Sequence, residues 1–397
     1  MQTWTQSPAA TADRRSTALA DLVSQIRQLE GLTDQVGPFA LPSATCDRAP
    51  ELVTAMCRKL GIPLSFDAVG DRESDFAVTA LAAGIQAAQR RPELNGLDDA
   101  AVEDLASRAC SIRDEQDAGI RFHRIIRAGG TLITALEAGP QDAPSILLSP
   151  ACAMPDRLSL RWLKALSASH RCVVPQTRGT SEPVDDPRSF DERGYDVPSQ
   201  TGDLIAVIEQ LGLAPVHMMG LCGGAVLALL AAAKRPELIG SLSLWHADLE
   251  LGPEAEKSEH QVNLRGLLDL ASESRDTADW MRGRLVSGPM KGLPDDVGPL
   301  VVRPYATTEL FYRYAKLTGS TMHWDSRATA AQVKQPCLIV TSRDDHTAHP
   351  AGSRRLAEIM ADAHLVITEH GTHLDAFKAT PEQVSCLSGF LRTRHDR

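Results

Sequence analysis

From about Ile120 to the C-terminus, the sequence predicts an α/β fold in which a mostly parallel sheet carries helices on both faces. Three observations lead there. Short apolar runs of strand length alternate with helix-length stretches of 3.6-residue periodicity. The series opens on two alternating segments around a glycine turn, the pattern of a β-hairpin. Midway, one apolar run passes through Gly220-Leu221-Cys222-Gly223-Gly224 straight into a helical stretch rich in Ala and Leu.

Taken in order, residues 1–16 are polar and rich in Ala and Thr, and are expected to be a disordered tail. From Thr17 to about Leu29 the run LADLVSQIRQL has helical spacing. A break marked by Pro38 and Pro42 follows. Helical patterns resume at Glu51–Leu60, Ser74–Ala88 and Asp98–Asp117. Residues 17–117 therefore read as a helical N-terminal extension, and no catalytic motif lies in it. Ile120–Arg127 and Thr131–Glu137 alternate like strands around Ala128-Gly129-Gly130. Strand-like Ser145–Leu148, Cys172–Pro175, Val216–Met219 and Ser241–Trp245 then alternate with helix-like Leu158–Ser167, Thr201–Leu211 and Ala225–Lys234. Residues 118–246 thus form the first part of the α/β core. The rhythm stalls over 247–330, which is mostly helical, carries two Gly/Pro-rich breaks and shows no convincing strand. It resumes with Cys337–Thr341, Leu365–Thr368 and a last helix at Pro381–Leu391, so 331–397 is the second part of the core.

Bulk composition narrows the function. Hydrophobic residues make up 43% and charged residues 23%, ordinary values for a soluble globular chain. No apolar run approaches the roughly 18 residues of a membrane span. The N-terminus has no signal-peptide core, so a cytoplasmic protein without a membrane partner is expected. A formal charge of −10 argues against nucleic acid, whose phosphates need clustered Lys and Arg. The eight cysteines show no regular spacing and are expected to be reduced. There is no Cys-x-x-Cys pair, so no metal site is expected.

Cys222 stands apart from the other cysteines. Gly220-Leu221-Cys222-Gly223-Gly224 has the small-x-nucleophile-x-small spacing of a strand-to-helix elbow. Such a turn needs small neighbours, because strand and helix approach closely there. It would place the sulfur at a helix N-terminus, whose dipole favours a thiolate. The Gly223 N–H would point at a reacting carbonyl oxygen. The alternative, a Gly-rich turn with a buried cysteine, fits the five residues alone as well; the strand before and the helix after favour the elbow.

A nucleophile needs a base, and the base an orienting group. Downstream, the strand Cys337–Thr341 runs into Ser342-Arg343-Asp344-Asp345-His346, where Asp345 is the expected acid and Asp344 its reserve. The strand Leu365–Thr368 leads to Glu369-His370-Gly371-Thr372-His373, where His373 is the expected base and His370 the reserve. A second oxyanion donor is expected in the loop Ser149-Pro150-Ala151-Cys152, from Ala151 or else Cys152. Arg178-Gly179-Thr180-Ser181 reads as structural.

With these residues in place, the chain from about Ile120 onward resembles the α/β-hydrolase superfamily. Gly-Leu-Cys222-Gly-Gly, Ser-Arg-Asp-Asp345-His and Gly-Thr-His373 look like its Cys-Asp-His branch. Within that branch it is similar to the aminoacyltransferases of syringomycin-type pathways, and more distantly to polyhydroxyalkanoate synthases, whose aromatic-rich site sequence it lacks. The resemblance implies a helical cap at 247–330. It also implies transfer of an acyl or aminoacyl group between thiols through acyl-Cys222. The partners would be phosphopantetheinylated carrier proteins or acyl-CoA, and the protein would carry no cofactor of its own. A thioesterase or other hydrolase, and a polymerising synthase, are the alternatives. For an aminoacyl cargo, Asp248 and Glu250 are candidate partners of the ammonium group; the other reading makes them solvated loop charges. Trp245, His246 and Cys152 are further candidate pocket residues.

Overall fold

The computed structural model describes residues 8–30, 32, 39–42, 49–67, 76–127, 130–180, 187–285 and 297–395. They divide into two units. One gathers the described residues up to Ala118 with those from Gly283 to Thr307; the other gathers those of 119–282 and 308–395.

The first unit contains the helices Pro8–Arg27, Ala49–Leu60, Phe76–Gln89 and Asp99–Gln116 and the short helix Gly298–Val302. Its core holds Leu19, Leu22, Ile26, Leu52 and Met56, each almost fully buried. Buried Arg27 donates to Glu30 (2.8 Å) and Asp117 (2.5 Å), which keeps its charge paired. Two expectations are corrected here. The first helix begins at Pro8, inside the stretch 1–16 assigned to disorder; proline suits the first helical turn, and the Ala-rich run behind it has high helix propensity. The extension is also not purely helical. Phe39–Pro42 (β1) pairs in parallel with Leu64–Asp67 (β2), in the register Phe39 to Leu64. A four-residue strand ending in proline is too short to show periodicity, and it reads as a break.

The second unit is built on one eight-stranded sheet. Its strands are Ile120–Ile126 (β3), Leu132–Ala138 (β4), Ser145–Ser149 (β5), Arg171–Pro175 (β6), Val216–Leu221 (β7), Ile239–Trp245 (β8), Cys337–Ser342 (β9) and Ala363–Thr368 (β10). Their spatial order is β10-β9-β8-β7-β5-β6-β4-β3. Every neighbouring pair is parallel except β3–β4 and β4–β6, so β4 alone runs against the rest. The reason is local. Arg127 N–H donates to Thr131 C=O and Gly130 N–H to Arg127 C=O, both at 2.9 Å, closing the hairpin that reverses the chain. Ala128 and Gly129 of that turn lie outside the described residues. β7 and β9 are buried along their whole length, and β5, β6 and β8 nearly so, which is why they read as continuous apolar runs. The outermost strands β3 and β10 are only partly buried.

The helices Val197–Leu211, Gly224–Lys234 and Pro381–His395 fall where the sequence placed helices. Pro187–Glu192 and Pro350–Ile359 were not signalled by it. The stretch 247–330 is divided between the units: the helices Glu259–Ala271, Arg275–Arg282, Thr308–Met322 and Arg327–Gln332 belong with the sheet. No helix among the described residues is long and apolar enough to cross a membrane. The seven cysteines among the described residues are free thiols. Because β5, β7, β8, β9 and β10 are parallel, their carboxyl ends deliver five loops to one edge of the sheet, where open α/β sheets place their sites.

Candidate active site

β7 ends at Leu221 and the next helix starts at Gly224, leaving Cys222 and Gly223 to turn the chain. Cys222 takes φ +51°, a left-handed conformation that residues with a Cβ rarely adopt. Its N–H donates to Trp245 C=O (3.0 Å), and its C=O accepts from Ala225 N–H (3.1 Å), which fixes the turn. The flanking glycines are obligatory. A Cβ on Gly220 would lie 2.7 Å from Ala225 Cα, and one on Gly224 would lie 2.4 Å from the carbonyl oxygens of both Ser149 and Pro150. The sulfur is half-buried at the N-terminus of an 11-residue helix.

Asp345 lies just past β9 and is buried. Its Oδ1 accepts from the backbone N–H groups of Thr347 and Ala348, both at 2.9 Å. Its Oδ2 meets Nδ1 of His373 at 3.0 Å and Nδ1 of His246 at 2.7 Å. A carboxylate only accepts, so each of these Nδ1 atoms carries its proton. For His373 that leaves Nε2 without the proton, and Cys222 is near enough to act on the charge of this ring. The two imidazoles stand edge to face, 5.9 Å between centroids. One ligand atom each from His246, Asp345 and His373 fall within 4.8 Å of one another, a set able to hold a metal ion. Here those atoms are engaged with one another in hydrogen bonds.

The charges interlock. Burial pushes the Asp345 carboxyl up, but the hydrogen bonds from His246 and His373 outweigh it and hold it well below the usual carboxylate range. Burial pulls His373 down, but the neighbouring Cys222 and Asp345 prevail and raise it well above the ordinary histidine value. Burial first, with Cys222 adding, pushes the Cys152 thiol up to about 12.

The structure thus brings Cys222, Asp345 and His373 together. It places the reserves elsewhere: Asp344 and His370 pair with each other at 2.9 Å, with the His370 ring 90% exposed. The Ser149–Cys152 loop lies against the elbow, and the direction of a Gly223 Cβ runs toward Cys152 Sγ at 3.6 Å. Three of the weaker pocket candidates are corrected. Trp245 is fully buried against Trp162, 4.9 Å between ring centroids, so its side chain is core. His246 is buried and turned to Asp345. Cys152 is buried, its C=O accepting from Thr318 (3.0 Å) and its thiol meeting Thr321. Asp248 is half-buried, receives Gln261 Nε2 at 2.5 Å, and lines a cleft of about 300 Å³ with Glu250, Arg265 and Asp269. Glu250 in that cleft is already paired with Arg265 (3.1 Å). Arg178 is structural: its guanidinium makes a bidentate pair with Asp203, both bonds at 2.6 Å.

Sequence reasoning missed Thr318, Thr321 and His260. The two threonines sit on helix Thr308–Met322, whose polar residues gave no sign that they meet the elbow. His260, exposed on the first turn of helix Glu259–Ala271, is lowered by partial desolvation and by His373, with Asp248 and Asp345 opposing. A lone histidine in a helix carries no signal of such a neighbourhood.

A family model described as "Alpha/beta hydrolase family" matches residues 146–385. Among curated proteins, one from Pseudomonas savastanoi named "Putative carbamate hydrolase RutD" is 27% identical over 58% of this chain and 87% of its own length. Among solved structures, a membrane phospholipase A is similar with a TM-score of 0.58 and 19% identity, over 72% of this chain and 91% of that one. An enol-lactonase from Burkholderia xenovorans is similar with a TM-score of 0.52 and 22% identity, over 68% of this chain and all of that one (100%). At these identities the structural likeness concerns the fold.

Proposed function

The chain belongs to the alpha/beta hydrolase family, and from that premise we propose that it is a cysteine-dependent acyl hydrolase working through an acyl-Cys222 thioester. One observation carries the reading: half-buried Cys222, on a strained elbow, lies near enough to His373 to act on its charge, and the His373 ring is anchored to buried Asp345. His373 Nε2 takes the thiol proton as sulfur attacks the acyl carbonyl. The N–H groups of Gly223 and Ala151 receive the oxyanion. As the tetrahedral intermediate collapses, the leaving group departs with the proton from His373. Water then attacks the thioester, giving its proton to His373, and the acid leaves as Cys222 regains its hydrogen. Asp345 keeps the His373 ring in the Nδ1–H tautomer throughout. The hydrolase name of the curated relatives supports water as the acceptor.

The sulfur itself favours a second reading. Exchange of an acyl group from a thioester onto Cys222 makes another thioester and is nearly isoenergetic, so a second thiol on a phosphopantetheinylated carrier protein or CoA can accept it. One experiment separates the two. The protein is incubated with acyl thioesters, and intact mass is followed for acyl-Cys222 before and after a holo-carrier protein is added. Free acid without carrier supports hydrolysis; acyl-carrier supports transfer. An adduct at full yield in Cys222→Ala removes both.

A further inference from the structure

We propose that His246 is a positioning residue: it locks the Asp345 carboxylate and limits how strongly that carboxylate holds His373. The inference deepens the proposed function and rests on it for its kinetic part only.

Asp345 offers about four acceptor directions, and all four are used. Oδ1 receives two backbone N–H groups, and Oδ2 receives His373 and His246. With only the backbone donors and His373, the carboxylate could tilt about its Cβ–Cγ bond. The fourth donor removes that freedom. It is also the closer of the two ring contacts, at 2.7 Å against 3.0 Å.

The chain holds His246 there against its own preference. His246 adopts φ +46°, one of four left-handed non-glycine residues among those described. Such strain persists where the surroundings over-determine a residue. Here the N–H of His246 donates to Val340 C=O on β9 at 2.8 Å, tying the residue to the strand that leads to Asp345. Its side chain is 4% exposed and is not among the residues lining the cleft beside Asp248.

Two donors on one oxygen also divide its basicity. The groups that act on His373 are Asp345 from the β9 loop, Cys222 from the elbow and His260 from helix Glu259–Ala271, with Asp248 acting on His260. Of these, Asp345 and Cys222 tighten the hold on the His373 proton. A proton held too tightly is slow to pass to the leaving group. By sharing Oδ2, His246 weakens the pull of Asp345 and keeps the proton transferable.

The test compares His246→Ala, which removes the donor, with His246→Asn, which keeps an N–H and tolerates a left-handed backbone. The His373 ring is titrated by NMR, and acylation of Cys222 by an acyl thioester is followed in a single turnover. In His246→Ala the His373 titration moves to higher pH, the alkaline limb of the rate profile moves with it, and acylation slows by about 10- to 100-fold. Asn restores both toward wild type. A merely structural role would lower the melting temperature without moving the titration. Unchanged titration and rate in His246→Ala overturn the proposal. Wild-type protein provides a measurement independent of folding defects: ring nitrogen shifts report His246 protonated at Nδ1, and the Nε2–H tautomer would overturn the proposal. If no acyl thioester ever modifies Cys222, the enzymatic reading fails while the titration still decides the role of His246.

Discussion

Replacing Gly224 with alanine tests whether the elbow is built as described. The new Cβ would sit 2.4 Å from the carbonyl oxygens of Ser149 and Pro150, where ordinary contact begins near 3.4 Å. Both obstacles are backbone, so no side chain can swing aside, and helix and loop must part by roughly 1 Å. Overpacking of this kind costs about 1–3 kcal/mol. The functional loss is larger. The loop being pushed carries Ala151, the proposed second oxyanion donor, and the helix being pushed directly follows Cys222 and Gly223. A misplacement of ~1 Å at reacting groups costs on the order of 100-fold in rate. Stopped-flow acylation by p-nitrophenyl acetate, paired with a thermal melt, measures both. Gly240→Ala on β8 is the control, because its Cβ would meet nothing closer than Pro215 Cβ at 3.8 Å. It should stay within about twofold of wild type, since alanine suits an extended strand at least as well as glycine. Acylation of Gly224→Ala within threefold of wild type would refute the close approach on which the elbow depends.

Three further outcomes are expected. Asp345→Asn should slow acylation by roughly 100- to 10,000-fold, whereas Asp344→Asn should leave it unchanged, because Asp344 pairs only with exposed His370; equal losses would undo the assignment of the acid. Brief iodoacetamide treatment at pH 7.5 should label Cys222 ahead of Cys57, Cys152 and Cys172, whose thiols burial pushes up to about 12; peptide mapping that finds Cys152 first would contradict the site. Stability should fall on the alkaline side: His373 is raised in the folded state, so its contribution is full below its ordinary value near ~6.5 and is lost as pH rises through the raised one. In Cys222→Ala, melts across pH should show a smaller loss that is complete at lower pH, since Cys222 no longer helps to raise His373.

The legible parts of this molecule were those written in short-range pattern. All eight strands of the main sheet carry apolar runs or a glycine turn that mark them within two residues, and the elbow spacing singled out Cys222. Asp345 and His373 could be chosen over their neighbours by distance from a strand end alone, and the structure buries them while exposing Asp344 and His370. What stayed hidden depends on contacts between distant segments. That His246 meets Asp345 across 99 residues is decided by the pairing of β8 with β9. Thr321 reaches Cys152 only because helix Thr308–Met322 packs over the elbow. β1 and β2 are four residues each, less than the window in which periodicity can be read.

The grouping of residues 283–307 with the N-terminal unit bears on how the protein can be shortened. Trimming the chain at Ala118 would not yield a clean catalytic fragment. Val297, Leu300, Val302 and Tyr305 are buried within the unit that such a cut removes, and Arg303 donates to the carbonyl of Glu30 there at 2.8 Å. They would be left as a greasy loop inviting aggregation. A minimal version needs two edits, one at the front of the chain and one that splices Arg282 to Thr308 through a short polar linker.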